Sequence, residues 1–258
     1  MIRKFAERLS RGLVLKRRLS AEFGRRPFLA SPDSALSLLK PGLAAFEDLA
    51  TACRKLVQPG HCVWDIGGNL GFFSLMASHL SGKEGTTVCV EPDPFLASLI
   101  QRSVLLPKNS DRSIHVLCAA MAAEQGISEF LIASRGRSSN SLAVTGGRSQ
   151  AGGIRYRQYV PTFTLDTLLD SFPPPDVLKI DVEGAEDLVL KGATRLLQHA
   201  RPALYIEVGA QKNAQVTSIL KDAGYDLFDA ELPDEQLAAC AFNTIAVPQD
   251  LSEQRLAA

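Results

Sequence analysis

Long apolar runs are missing from this chain of 258 residues. No stretch approaches the roughly 20 residues that a membrane-spanning helix needs. The N-terminus offers only Leu13, Val14 and Leu15 where a signal peptide would carry its apolar core, so a cytoplasmic location is expected. A charge excess is missing too. The 28 Lys and Arg are balanced by 28 Asp and Glu, so no global field draws the protein onto nucleic acid, and no nucleic-acid partner is expected. The five cysteines, Cys53, Cys62, Cys89, Cys118 and Cys240, are odd in number, form no C-x-x-C pair and sit mostly inside apolar runs. That excludes a disulfide framework and reads as buried thiols in a reducing compartment. The four histidines, His61, His79, His115 and His199, lack metal-ligand spacing, so no metal site is expected. There is no internal repeat.

What is present divides unevenly. Residues 1–26 carry nine Lys or Arg against Glu7 and Glu22, with Ile2, Phe5, Leu9, Leu13 and Leu19 spaced roughly as a helical stripe. Residues 1–41 are therefore expected to form a basic amphipathic helical arm beside a main domain of residues 42–258. The arm either packs on that domain or docks on a membrane surface or partner through residues 1–26. From about residue 42, short apolar runs alternate with helical segments. Strands are expected at 61–66, 87–91, 114–118, 177–181, 203–207, 226–229 and 243–247, and helices near 44–57, 72–80, 94–105, 185–198 and 211–223. This alternation implies a parallel sheet with helices on both faces.

The segment 128–165 breaks the rhythm, with two strand-like pieces flanking a stretch rich in Gly, Ser and Arg. It contains Arg135, Arg137, Arg148, Arg155 and Arg157, and no acidic residue lies between 130 and 165. Such a loop either clamps an anionic acceptor or forms a solvated lid. Ser139, Asn140 and Ser141 suit acceptor contacts and turn chemistry equally.

The strand Val63-Trp64-Asp65-Ile66 runs into Gly67-Gly68-Asn69-Leu70-Gly71 and then an apolar helix, the strand, glycine turn and helix of a nucleotide-binding unit. Glycines permit positive φ and close approach of backbone to a ligand, and the helix N-terminus offers unpaired N–H groups. A carboxylate at Asp65 beside the turn would repel a dinucleotide's pyrophosphate and attract the sulfonium and ammonium of S-adenosylmethionine. Glu91 ends the next strand, 20 residues after Gly71, where a carboxylate can accept hydrogen bonds from both ribose hydroxyls. Asp93, between Pro92 and Pro94, reads as a helix N-cap before a proline at N1.

These residues resemble the FkbM family of methyltransferases. The likeness is carried by D-I-G-G-N-L-G-F-F-S-L at 65–75, E-P-D-P at 91–94, F-T-L-D-T-L-L at 163–169 and D-V-L-K-I-D-V-E-G-A-E at 176–186. It continues through R-P-A-L-Y-I-E-V at 201–208 and N-T-I-A-V-P at 243–248. The resemblance implies a Rossmann-like α/β fold with a mostly parallel sheet of seven strands, the last two an antiparallel hairpin, and helices on both faces. It implies cofactor contacts from Asp65, Gly67, Asn69 and Gly71, ribose contacts from Glu91 and an adenine pocket around Ala120, from Ala119 to Met121. The family usually has Ala where Gly68 stands. Its members methylate oxygen on sugars, polyketides and related metabolites, so a small-molecule acceptor is implied, sugar-linked, or anionic if the arginine segment clamps it.

Methyl transfer from a sulfonium needs alignment and exclusion of water, and a hydroxyl acceptor gains from a base. Asp181 and Glu183 fall at the carboxyl end of a strand beside the one carrying Asp65, and Glu207 ends the next strand. Asp181 is the leading base, with an orienting role for backbone or cofactor as its competing reading. Glu186 reads as a complement to the following helix dipole. Two other functions compete: a nicotinamide-dependent oxidoreductase, and a non-catalytic adapter that docks through its basic arm.

Overall fold

Two buried faces explain why the central strands read as nearly continuous apolar runs. In a computed structural model describing residues 12–34, 46–134, 136–145, 152–232 and 235–251, the main sheet is built on β3 (Cys62–Ile66), β4 (Thr86–Val90), β5 (Ser113–Leu117), β10 (Val177–Ile180) and β11 (Ala203–Glu207). These five lie parallel in the order β11, β10, β3, β4, β5. Alternate residues feed opposite cores. Val63, Val177, Ala203 and Tyr205 join one apolar cluster with the helices α1 (Glu47–Leu56), α2 (Phe72–Ser81) and α3 (Pro94–Val104). Trp64, Ile66, Leu178, Ile180, Leu204 and Ile206 join the other, with α4 (Leu165–Leu168), α5 (Glu186–Lys191) and α6 (Asn213–Asp222). The period of two along each strand thus closes a helix–sheet–helix sandwich.

Beyond β11 the sheet becomes mixed. The strand β14 (Asn243–Pro248) runs antiparallel to both β11 and β12 (Tyr225–Asp229), which gives the expected terminal hairpin. An eighth strand, β13 (Gln236–Leu237), then pairs antiparallel with β12, so the sheet has eight strands of mixed direction and not seven. Two residues are too short to carry a readable period.

The segment that broke the sequence rhythm is a sheet of its own. Its long strands, β7 (Gly126–Ala133) and β9 (Ile154–Phe163), pair antiparallel with a bulge at Ile132/Ala133. The two-residue strands β6 (Ala120–Met121) and β8 (Ser141–Leu142) flank them. Phe130, Ile132, Leu142 and Val160 pack on Ala120 and Ala185, seating this small sheet over the carboxyl ends of the parallel strands.

The helical arm is corrected where it can be seen. Residues Leu15–Arg18 (β1) and Pro27–Ala30 (β2) form an antiparallel hairpin around a turn with Gly24 at φ 65°. Phe23, Phe28 and Ala30 insert into the core, so the apolar residues serve a two-residue period over β1 and tertiary packing beyond it. Asn109 Nδ2 donates to Pro27 O at 2.7 Å, and Leu29 N–H donates to Ser103 Oγ at 2.8 Å. The rest of the expected helix, residues 1–11, lies outside the described residues. Cysteines 53, 62, 89 and 240 are buried as expected, whereas Cys118 is exposed. Among the described residues no helix is long and apolar enough to cross a membrane.

Candidate active site

Strand register brings the site together. Ile66 lies opposite both Val90 and Ile180, and Ile180 lies opposite Ile206. The residues that follow, Gly67, Glu91, Asp181 and Glu207, therefore emerge at one level along the carboxyl edge of the sheet, where open α/β sheets bind ligands. Gly67 is irreplaceable there. Its φ is 79°, and a Cβ would stand 1.8 Å from the Asp181 carbonyl oxygen. Gly71 takes φ 76° to start α2, and Asn69 holds a left-handed φ of 51°. Asn69 is fixed on two sides: its N–H donates to Glu91 Oε2 at 2.8 Å, and its Oδ1 accepts from Ser34 Oγ at 2.8 Å. The N-terminal segment thus braces the glycine turn.

Two cavities flank this edge. The first, about 580 Å3 including its mouth, is lined by Gly67, Asn69, Glu91, Ala120, Asp181 and Glu183, among others. Its roof is the small sheet, through Phe130, Asn140 and Leu142. The second, about 740 Å3, is lined by Gly68, Asn69, Lys179, Asp181, Tyr205 and Glu207 and walled by phenylalanines. Asn69 and Asp181 line both. The expected ligand residues Gly67, Asn69, Glu91, Ala120 and Asp181 are therefore together in one cavity, whereas Gly71 lines neither. Glu183 joins them in a left-handed conformation at φ 57°, and Glu207 lies across Asp181 in the second cavity.

Asp65 is not in either lining. It is fully buried, accepts from Ser74 N–H at 3.1 Å and Ser74 Oγ at 2.6 Å, and pairs with Lys179 Nζ at 3.1 Å. Lys179 stands directly opposite Asp65 in register and also donates to Gly67 O at 2.6 Å. The direct attraction between Asp65 and a cationic ligand is thus replaced by a scaffold: its charge is offset by Lys179 and spent on α2. The electrostatic conclusion survives on other residues. Asp65 occupies the Ser74 N–H that a pyrophosphate would seek at this helix N-terminus, and Asp181 and Glu183 face the first cavity. Lys179, a residue the sequence reading passed over, was signalled by a charge inside the buried run V-L-K-I.

Glu91 is 5% exposed. Its oxygens accept one backbone N–H each, from Asn69 and from Asp93, both at 2.8 Å. A carboxylate has further lone pairs to offer a ligand's hydroxyls. Burial raises its pKa to about 8, outweighing those two N–H donors. Asp93 caps α3 as expected, its Oδ1 accepting from Phe95 N–H at 2.9 Å, while its Oδ2 binds Arg137 and Asn140.

The described arginines of this segment, Arg137, Arg155 and Arg157, each have a carboxylate partner. Arg137 lies between Asp93 and Asp33, Arg155 pairs with Asp33 at 2.9 Å, and Arg157 pairs with Glu129 at 3.1 Å. Arg137 and Arg155 therefore pin the small sheet to the N-terminal segment, and Arg137 also to α3, while Arg157 joins the two long strands of the sheet itself, in place of the unpaired cationic clamp the sequence suggested. Arg135 and Arg148 lie outside the described residues. His115 packs against Phe172, with ring centroids 5.5 Å apart, and is in neither cavity lining. Glu186 Oε1 accepts from Gly184 N–H at 2.8 Å at the start of α5, the scaffold role expected of it.

Residues 65–227 match the family model described as the methyltransferase FkbM domain. The chain belongs to the FkbM methyltransferase family. As an FkbM methyltransferase it is similar in fold to the methyltransferase FkbM from Methylobacillus flagellatus KT, with TM-score 0.44 and 15% identity over 77% of this chain and 50% of that one. It is also similar to the precorrin-6y C5,15-methyltransferase from Geobacter metallireducens GS-15, with TM-score 0.47 and 15% identity over 81% and 88% of the two chains. An S-adenosylmethionine-dependent O-methyltransferase from Thermotoga maritima gives TM-score 0.46 and 14% identity over 92% and 77%. Comparison with curated proteins gives no match in sequence.

The first cavity of this FkbM methyltransferase fits S-adenosylmethionine, the cofactor of the family. A buried carboxylate stands ready for a ribose diol, further carboxylates suit a cation, and the absent Cβ of Gly67 leaves room for backbone to close on Asp181. One departure from the family pattern has a local cause: a Cβ on Gly68 would lie 2.2 Å from Cys89 Sγ. Gly68→Ala is expected to cost about 1–3 kcal/mol by overpacking. In a Cys89→Ala background the same change should cost little, a coupling that urea unfolding of the four variants measures.

Proposed function

We propose that this methyltransferase transfers the methyl group of S-adenosylmethionine to a hydroxyl of a small molecule, with the donor in the first cavity and the acceptor in the second. The observation that carries this reading is the meeting of the two cavities at Asn69 and Asp181. A donor and an acceptor placed in them come into contact across one carboxylate.

When bound, the sulfonium supplies an activated methyl with a neutral leaving group. The chain supplies the rest. Glu91 holds the ribose hydroxyls, and Gly67 and Asn69 lay backbone against the ligand. The small sheet, held down by Arg137, excludes water from above. Asp181 accepts the hydroxyl proton as the new C–O bond forms, with its carboxylate 3.6 Å from the Lys179 ammonium. Glu207 orients the acceptor from the far wall of the second cavity. Glu183, on the donor side, completes the negative surface facing the sulfonium.

Calorimetric titration tests the donor assignment: S-adenosylmethionine is expected to bind in the micromolar range and NAD not at all. Tight NAD binding would return the oxidoreductase reading. Asp181→Asn is expected to lower turnover roughly 100-fold or more while leaving donor affinity within a few-fold. Turnover equal to that of the parent enzyme would remove Asp181 as the base. Methyl-labelled donor incubated with metabolite extract, followed by mass spectrometry, identifies whether the label sits on oxygen, nitrogen or carbon.

A further inference from the structure

The N-terminal segment reaches the junction of the two cavities through one hydroxyl. Ser34 follows β2 and is buried. Its backbone is held on both sides: its N–H donates to Ser31 O at 2.9 Å, and its carbonyl oxygen accepts from Ser138 Oγ at 3.3 Å. The neighbouring Asp33 O accepts from Arg137 N–H at 2.9 Å. From this strap, Ser34 Oγ donates to Asn69 Oδ1 at 2.8 Å, while the Asn69 backbone N–H is bound by Glu91. Asn69 holds φ at 51°, a conformation that persists in a non-glycine residue when its surroundings impose it. A side-chain amide whose oxygen is fixed has its NH2 fixed too, on the other arm of the same planar group. Among the described residues that NH2 has no hydrogen-bond partner, and Asn69 lines both cavities.

A donor of this kind is scarce in the first cavity. S-Adenosylmethionine carries a single anionic group, the carboxylate of its methionine end, and that carboxylate needs N–H or O–H donors. Four side chains lining the first cavity have them: Asn69, Arg137, Ser138 and Asn140. The guanidinium of Arg137 is shared among Asp33, Asp93 and the Tyr156 hydroxyl, Ser138 Oγ is given to Ser34 O, and Asn140 Nδ2 to Asp93. The carboxylates of Asp181 and Glu183, which line the same space, accept and do not donate. Resting on the donor's place in the first cavity, we infer that Ser34 is a positioning residue for S-adenosylmethionine: it holds the Asn69 amide so that Nδ2 donates to the ligand's carboxylate. The N-terminal segment, which precedes the matched residues 65–227, thereby becomes part of the donor site.

S-Adenosylhomocysteine and its decarboxylated analogue, which keeps the amine and lacks the carboxylate, separate this role from a purely structural one. Each is titrated calorimetrically into the full chain. Ser34→Ala is expected to weaken S-adenosylhomocysteine about five- to tenfold and to leave the analogue within about twofold of its affinity for the parent. Ser34→Cys, similar in size and with only a weak S–H donor, should show the same selective loss and serves if the alanine variant does not fold. Asn69→Gly, which suits the left-handed turn and removes the amide, should weaken S-adenosylhomocysteine at least as much. Adding Ser34→Ala to Asn69→Gly should then cost nothing further, because the hydroxyl has lost the group through which it acts. Equal losses for the two ligands, no loss for either, or a further loss on adding Ser34→Ala to Asn69→Gly would overturn the inference. A parent protein that does not bind S-adenosylhomocysteine would instead sink the donor assignment, so the two failures are told apart.

Discussion

Lys179→Met is expected to lower stability by about 3–5 kcal/mol, because it strands a buried carboxylate. Lys179 is 3% exposed and its partner Asp65 is fully buried. The ammonium binds Asp65 at 3.1 Å, approaches Asp181 at 3.6 Å and donates to Gly67 O at 2.6 Å. Burial works against the lysine's charge, but Asp65 and then Asp181 more than offset it and raise its pKa, so the cation persists well above neutral pH. Without it, Asp65 keeps only the Ser74 donors and a distant Cys89 thiol, at 4.0 Å, to balance a full negative charge. A domain of this kind holds only about 5–15 kcal/mol in total, so the variant should unfold at markedly lower urea. Adding Asp65→Asn removes the stranded charge and should recover a substantial part of the loss. A Lys179→Met protein within about 1 kcal/mol of the parent would show that the ion pair is dispensable.

That pair also marks the boundary of what the sequence reveals. The parallel strands, the glycine turn and the Asp93 cap were legible because each depends on neighbours within a few residues: an apolar run, a positive-φ turn, a carboxylate two positions before an N–H. Asp65 was legible as important but not in role, since its partner lies on another strand and becomes adjacent only through register. The usable signal was a matched defect: one acid inside V-W-D-I and one base inside V-L-K-I, both in runs too apolar to leave a charge alone. The arginines misled for the same reason. Read within residues 130–165 they have no counter-ion, yet Asp33, Asp93 and Glu129 approach from outside that window. In the N-terminal segment, the apolar spacing satisfied a helical stripe while the chain found a better burial for Phe23 and Phe28 in a hairpin. Tertiary contact overrode local period there.

Binding of S-adenosylmethionine is expected to expel a proton from Glu91 and to strengthen as pH rises toward 8. In the free protein the burial of Glu91 raises its pKa to about 8, so at neutral pH most molecules carry it protonated. Two ribose hydroxyls donating to the carboxylate, with a cationic ligand nearby, favour the ionised form, so the bound value must fall. Below pH 8 each unit of acidity then costs up to about tenfold in affinity, and above it the dependence flattens. The folded-state value is also raised above that of an unfolded glutamate. The ligand-free protein therefore keeps the full benefit of a neutral Glu91 below the unfolded value, near 4.5, and loses it as pH climbs through about 8. Ligand and stability thus pull in opposite directions on one group. Calorimetry at pH 7 in buffers of different ionisation enthalpy measures the released proton, and Glu91→Gln serves as the control for the ligand's own amine. The variant should bind roughly 10–100-fold more weakly at pH 8, since an amide accepts at only one oxygen, and should lose the part of the proton release that belongs to Glu91. Identical proton release in the two proteins would show that Glu91 is already ionised before the ligand arrives.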